Sequence, residues 1–342
     1  MSQTIEPPLI DRGTPPKPRA VSFQQLQQLS IAALTAVLWA ISIAKANNVG
    51  LWAGNLLTDA ASVGIIACGM TFVMIAGGFD LSVGSMAAVC GVVVVLTMKA
   101  MTATALWVAI PAAMAVTLLA GAVLGAINGS LIAYVGVNPF VVTLSSMFVF
   151  RGIGLVLTSG GQSQVVPLKL TEAYRVMYWG GFTVGGVKIS TPMIIFVGVF
   201  LACLYLLRLT RLGHYVYATG GNSRAAWLAG INTRLATAIT YIISGLTCAI
   251  AAMIWTGLST TAQASDYQGK EMIVIASVIV GGTALGGGKG GLFSTLFGLL
   301  LLCTLDQLLT QFGVDPQYRQ IVTGLIIVTV VAIDSYLKRK SD

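Results

Sequence analysis

The sequence predicts an all-α, polytopic membrane protein of about ten transmembrane helices with both termini on the cytoplasmic side. Three observations carry this. Of the 342 residues, 56% are hydrophobic and only 9% charged, with a mean hydropathy of +0.88. A soluble domain carries roughly a quarter charged residues, so this chain cannot cover a water-facing surface. Apolar runs near the ~20 residues needed to cross a bilayer recur along the whole length. With the N-terminus inside, eleven of the nineteen Lys and Arg residues fall on the inner side and seven outside, with Arg151 within a span. That is the sense of the positive-inside rule, and it also accounts for the net charge of +8 without nucleic acid as a partner.

Residues 1–25 are polar and Pro-rich (EPPLIDRGTPPKPRA) and are expected to form a disordered cytoplasmic tail, with the transmembrane domain over 26–337. The first apolar run, about Leu26 to Ala44, is expected to stay as an uncleaved helix. The competing reading is a signal peptide, since Ala44-Lys45-Ala46 loosely resembles a cleavage site. Further spans are expected at about 56–76, 85–99, 107–126, 138–158, 192–209, 235–257, 272–285, 292–311 and 318–336. The external segment 159–191 mixes aromatics, glycine and charge, and is expected to form a cap or short interfacial helix, with Tyr178 and Trp179 at headgroup level. The five cysteines all lie in apolar runs without ligand spacing and read as packing residues, and one histidine (His214) excludes a His-based metal site.

Two Gly-rich breaks are expected at the inner face in one orientation, AGGFDLSVGS (76–85) and VGGTALGGGKGG (280–291). They weakly indicate a parallel internal repeat. The second, with Gly287, Gly288, Lys289 and Gly290 after Gly281 and Gly282, is not a phosphate loop. Thr283 stands where the first glycine belongs, and no Ser or Thr follows the lysine. Energised work therefore requires an ATPase on another chain.

Charges inside spans are expensive and so informative. Asp59, Asp80, Arg151, Asp306 and Asp334 are the candidates. Asp80 is expected near an inner end within reach of water, and Arg151 at a depth that suits pairing with Asp59 or Asp306. Asn128, Asn138, Ser145 and Ser146, with Arg151, either line a solute path or join helices by hydrogen bonds.

The most distinctive stretch is 208–234, too polar for its surroundings, with four Lys/Arg residues and the single histidine. Gly220-Gly221-Asn222 can turn the chain, and Asn222 or Ser223 can cap a short helix over Arg224, Ala225, Ala226, Trp227, Leu228 and Ala229 that Gly230 ends before Ile231. So short a helix needs a surface to dock on. The residues leave two surfaces open: a protein partner anchored by Trp227 and Leu228, or the lipid interface.

At these residues the chain resembles the membrane permease subunits of bacterial ribose-type sugar ABC importers. The resemblance rests on GGFDLSVGS (including Gly77, Gly78, Asp80, Leu81, Ser82 and Gly84), on GHYVYATGGNSRAAWLAGIN and on VIVGGTALGGGKG, in family order from about Leu56 to Ile333, and on Arg151-Gly152 after the run Phe140 to Leu144. Phe79 departs from the isoleucine common in the family, an apolar exchange. The resemblance implies a subunit in the bacterial inner membrane that does no bond chemistry and binds no cofactor itself. ATP and magnesium belong to a cytoplasmic ATP-binding subunit, a periplasmic binding protein delivers a monosaccharide or polyol, and a second permease subunit completes the pore. It also implies that 220–231 is the ATPase-coupling segment. The alternatives are another solute (a nucleoside, furanosyl signal or amino acid) or a stand-alone ion-coupled transporter.

Overall fold

The computed structural model describes residues 23–315 and scattered positions between 318 and 329. The tail up to residue 22, most of the span expected at 318–336, and Asp334 lie outside the described residues. The chain is built from twelve α-helices in this region: α1 (Phe23–Lys45), α2 (Val49–Ile75), α3 (Val83–Ala100), α4 (Leu106–Ser130), α5 (Pro139–Leu157), α6 (Leu168–Trp179), α7 (Thr191–Leu209), α8 (Arg211–Gly221), α9 (Ser223–Leu228), α10 (Thr233–Ser259), α11 (Lys270–Val280) and α12 (Leu292–Gln311). Two small antiparallel ribbons complete it, β1 (Gln164–Val165) with β4 (Thr261–Ala262) and the hairpin β2 (Gly181–Val184) with β3 (Val187–Ser190).

Seven of the described helices are long and apolar enough to cross a bilayer: α2, α3, α4 with the wider turn Leu131–Val135 that prolongs it, α5, α7, α10 and α12. The expected span 272–285 differs. Its helix is α11, only eleven residues and so about 16 Å long. The nine residues before it enter the bundle as β4 and irregular chain, and the glycine run stops it at Val280. Backbone of this kind is tolerated at membrane depth only inside protein, and α11 is buried over nearly its whole length.

The helices α2, α3 and α10 form the centre, with Ile65, Met70, Val73, Met86, Val92, Cys248 and Ile254 in one continuous core. A stripe of glycines seats α4 against α10. A Cβ at Gly129 would come 2.8 Å from the Ala238 carbonyl, and one at Gly121 or Gly125 would overlap the carbonyls of Gly245 or Tyr241. Small residues let backbones approach where lipid supplies no hydrophobic drive between helices. The opposite side of α4 exposes Leu119, Val123 and Ile127. Helix α1 lies along α12, where its Trp39 indole donates to Thr304 at 2.8 Å.

One end of the bundle carries α6 and the hairpin. Tyr174 of α6 donates to the Met253 carbonyl of α10 at 2.9 Å, and Trp179 donates to Leu258 at 3.0 Å. The segment 159–191 is thus a cap held by α10, with Tyr178 packed over Gly257 and Trp179 half exposed. The other end gathers the α2–α3 and α11–α12 turns and the polar stretch α8–α9.

Candidate functional site

At that second end the three glycine segments meet. The Gly288 amide donates to the Ile75 carbonyl at 2.8 Å, closing the α11–α12 turn onto the end of α2. A Cβ at Gly287 would lie 2.7 Å from Gly77 Cα, one at Gly288 would lie 2.6 Å from Gly221 Cα, and one at Gly220 would overlap the Ile75 carbonyl. Gly287 and Gly288 also adopt φ of +81° and +72°, which side chains resist. Both breaks therefore share one end and touch the same piece of α8. Tyr217 adds a hydrogen bond to the Gly290 carbonyl at 2.9 Å. The buried Gly281 and half-buried Gly282 end α11 deeper in the bundle, whereas the Lys289 ammonium stands exposed.

Helix α8 is a feature the composition did not announce. The sequence reading puts a turn at Gly220-Gly221, but these residues are the last of an eleven-residue helix. Its apolar face, with Val216, joins Phe72, Ile75, Leu207 and Leu292, and that packing outweighs the low helix propensity of glycine. The break comes at Asn222 (φ −160°, ψ 98°), whose side chain accepts the Ala225 amide at 2.9 Å and so caps α9. Ala226 faces inward and is buried, while Trp227 and Leu228 are 66% and 72% exposed. Gly230, at φ +83°, closes the helix as the Ile231 amide returns to the Ala226 carbonyl at 3.0 Å, the paired pattern of a left-handed C-cap. Asn232 then caps α10 through the Leu235 amide. Around α9 lies an open hollow of about 1020 Å³, lined by Tyr134, Arg224, Trp227 and Arg234 among others.

The polar residues of the first glycine break, 76–85, form a sealed network, not a surface. Asp80 is fully buried, which corrects the expectation that it reaches water. Its carboxylate accepts the Ser82 amide at 2.9 Å, the Ser82 hydroxyl at 2.6 Å and the Ser244 hydroxyl at 3.2 Å. Asn128 of α4 donates to the Ser82 hydroxyl at 2.9 Å and accepts from Ser146 of α5 at 2.6 Å. Asn128 and Ser146 thus join helices, and Ser146 also reaches the groove between α4 and α5. Asn138 caps α5 through the Phe140 amide. Ser145 is exposed on a shallow apolar groove of about 420 Å³ between α4 and α5. Leu81 is buried beside the network, and Gly84 makes room for the Glu271 carboxylate and the Tyr267 carbonyl.

Arg151 pairs with neither Asp59 nor Asp306. Its guanidinium donates to the backbone carbonyls of Ala264 and Asp266, in the irregular chain ahead of α11. That chain's descent into the bundle was not legible from hydropathy, and it is why depth alone misassigned the partner. Asp59 faces instead a cavity of about 540 Å³ that also holds Lys270, Asp306, Gln307 and Arg319. There Arg319 lies 3.7 Å from Asp306.

The architecture is that of a multi-pass membrane protein, with a short capped helix exposed at one end of a glycine-jointed bundle. Residues 52–331 match the family described as branched-chain amino acid transport system, permease component, and the chain belongs to this family. It is a transport permease subunit and not an enzyme. It is 37% identical over 282 residues to the ribose import permease protein RbsC of Escherichia coli K12, covering 82% of this chain and 84% of that protein. It is 35% identical to the RbsC of Haemophilus influenzae, over 84% of this chain and 85% of that protein. The D-allose transport system permease protein AlsC of Escherichia coli K12 is 33% identical, over 80% of each chain. No solved structure matches the chain.

Proposed function

We propose that the chain is the transmembrane subunit of an ATP-driven ABC importer, forming the translocation path for a monosaccharide or related polyol that a periplasmic binding protein delivers. Two permease subunits build the pore, and hydrolysis of magnesium-bound ATP takes place on cytoplasmic partner chains. The chain crosses the membrane about ten times with both termini cytoplasmic, which puts α9 on the ATPase side. Monosaccharide is favoured over branched-chain amino acid because the similar chains named above are permeases of ribose import and D-allose transport, although the family's description names the amino acid.

One observation carries the coupling role. Helix α9 exposes Trp227 and Leu228, and the chain leading into it ends on glycines in backbone contact with the α2–α3 and α11–α12 turns. A partner that pushes on α9 thereby moves α8 against both turns at once. Two packings of these elements, one favoured when the ATPase closes, give outward and inward opening. Lipid alone under α9 would supply no such differential contact.

The test is Trp227→Ala with Leu228→Ala. The double variant inserts and folds normally, because both side chains are exposed, yet ATP turnover no longer drives solute uptake in reconstituted vesicles. Normal uptake would sink the docking assignment. Uptake by this chain alone, collapsed by an uncoupler, would instead establish a secondary transporter.

A further inference from the structure

The stretch 263–269 between β4 and α11 is polar and irregular, and three contacts fix its depth in the bundle. A Cβ at Gly154, three residues inside the end of α5, would lie 3.3 Å from the Ala264 side chain. The Tyr267 hydroxyl donates to the Ala251 carbonyl at 2.8 Å, eight residues and so about 12 Å from the end of α10 at Ser259. A Cβ at Gly84 would lie 2.9 Å from the Tyr267 carbonyl. Gly84 belongs to the first turn of α3, which starts next to Asp80 and its partner Ser244, near the middle of α10. The chain thus descends from the capped end toward mid-bundle, and Arg151 holds it there by the carbonyls of Ala264 and Asp266. Yet Gln263, Ser265, Gln268 and Gly269 are exposed, as is Met272 after them.

Lipid cannot cover this face. Non-helical backbone at membrane depth is tolerated only where protein buries it or water bathes it, and three exposed polar side chains raise the cost further. Helix α4 is the contrast, because its exposed residues between Val116 and Ile127 are all apolar and suit lipid. Next to the polar stretch, α5 carries an open stripe at helical spacing that flanks Arg151. Phe148 and Leu155 are exposed on it, and a Cβ at Gly152 between them would meet nothing. An apolar stripe edged by a hydrated polar wall is the composition of a seam between two subunits with water along it. The stripe offers a second copy its contact, and the wall stays wet.

We propose that the solute path runs along this face between two copies of the chain, with Gln263, Ser265 and Gln268 as its polar wall. Arg151 is the positioning residue that holds the wall in place. The assignment rests on the transport role proposed above. Its chemistry suits a neutral polyhydroxyl solute, since a glutamine amide sets a donor and an acceptor side by side for two adjacent hydroxyls. The two charges at hand are engaged, Arg151 on backbone carbonyls and Asp266 on the Gln263 amide at 2.8 Å. Side chains that meet a solute in passing, without enclosing it, let it leave as readily as it enters.

The experiment places single cysteines in a Cys303→Ala chain, whose other four cysteines are buried. The chain is assembled with its ATPase partner in nanodiscs and treated with a membrane-impermeant cationic methanethiosulfonate, which needs a hydrated, ionised thiol. Gln268→Cys should react about tenfold or more faster than Val116→Cys, which lies about 15 Å from the start of α4 on its lipid face. Phe148→Cys should be joined chain to chain by bis-thiol cross-linkers of one or two lengths. In vesicles reconstituted with the binding protein, D-ribose uptake by Gln268→Cys should fall as the thiol adduct grows, a methyl group blocking least. The same adducts on Val116→Cys should leave uptake unchanged. Labelling of Gln268→Cys as slow as that of Val116→Cys would overturn the hydrated wall, and fast labelling with uptake indifferent to adduct size would overturn the path. Fast labelling without any cross-link would mean that something other than a second copy faces the wall, which overturns the seam. Failure of the unsubstituted chain to import D-ribose counts against the transport reading alone, because the labelling pattern decides the wall without uptake.

Discussion

Two carboxylates within the bundle meet opposite fates. Asp80 sits at the end with the glycine junction, fully buried, with no basic residue beside it and every contact a neutral hydrogen bond from Ser82 or Ser244. Asp306 sits toward the capped end, half exposed, with the Arg319 guanidinium at 3.7 Å and the cavity with Asp59 and Lys270 in front of it. One carboxylate is held by a continuous chain of short-range donors across four elements, the other by longer-range charge across a space that solvent can enter. The first arrangement is high-stakes, since a buried polar network is costly once a member is missing. The second is weak wherever water screens it.

The largest effect should follow Asp80→Leu. It strands the Ser82 amide and hydroxyl and the Ser244 hydroxyl, each lost partner costing about 1–3 kcal/mol, so the total is several kcal/mol. The expected outcome is loss of a monodisperse peak in detergent, or a large fall in thermal midpoint. A midpoint within a degree or two of the native chain's would show that the network is slack. Asn128→Leu should come next, at about 2 kcal/mol, since it removes one donor to Ser82 and one acceptor from Ser146. Adding Ser146→Ala to it should cost little more, because the two share one bond. Additive losses in that cycle would mean that Ser146 has another role, for instance toward a solute.

How much of this was legible in the sequence depends on what each residue touches. The spans were legible because hydropathy is local, and the α9 segment was legible because its signals (Asn222 as cap, Gly230 as stop, two apolar residues between) lie within nine positions. The short α11 was not. Its apolar run reads like a span, and only the tertiary packing of the preceding chain, clasped by Arg151, reveals that it starts inside the bundle. The Asp80 network was also hidden, for its members at 80, 82, 128, 146 and 244 come together only through helix pairing. The signal that brings them there was present and unread: Gly121, Gly125 and Gly129 recur every four residues, one glycine per turn on the face that seats α4 on α10. The buried, unpaired hydroxyl of Thr219 has no such signature, since a threonine that forgoes its own helix is recognisable only from coordinates.

The smallest effect, and the sharpest comparison, lies at the charged cluster toward the capped end. Asp306→Asn or Arg319→Gln should each change stability by less than about 1 kcal/mol, because the pair is partly exposed and its atoms are farther apart than a hydrogen bond. Arg319 also keeps the Thr310 hydroxyl at 2.6 Å when Asp306 is neutral, which holds the arginine in place and further reduces the loss. A double-mutant cycle on the two should give a coupling of a few tenths of a kcal/mol that shrinks as salt rises from 0.01 to 1 M, where the screening length falls from about 30 to 3 Å. The same salt series on Asn128→Leu should leave its cost unchanged, since ions do not reach that site. A salt-independent coupling between Asp306 and Arg319 would mean that the cavity closes over its charges, making it as sealed as the site of Asp80.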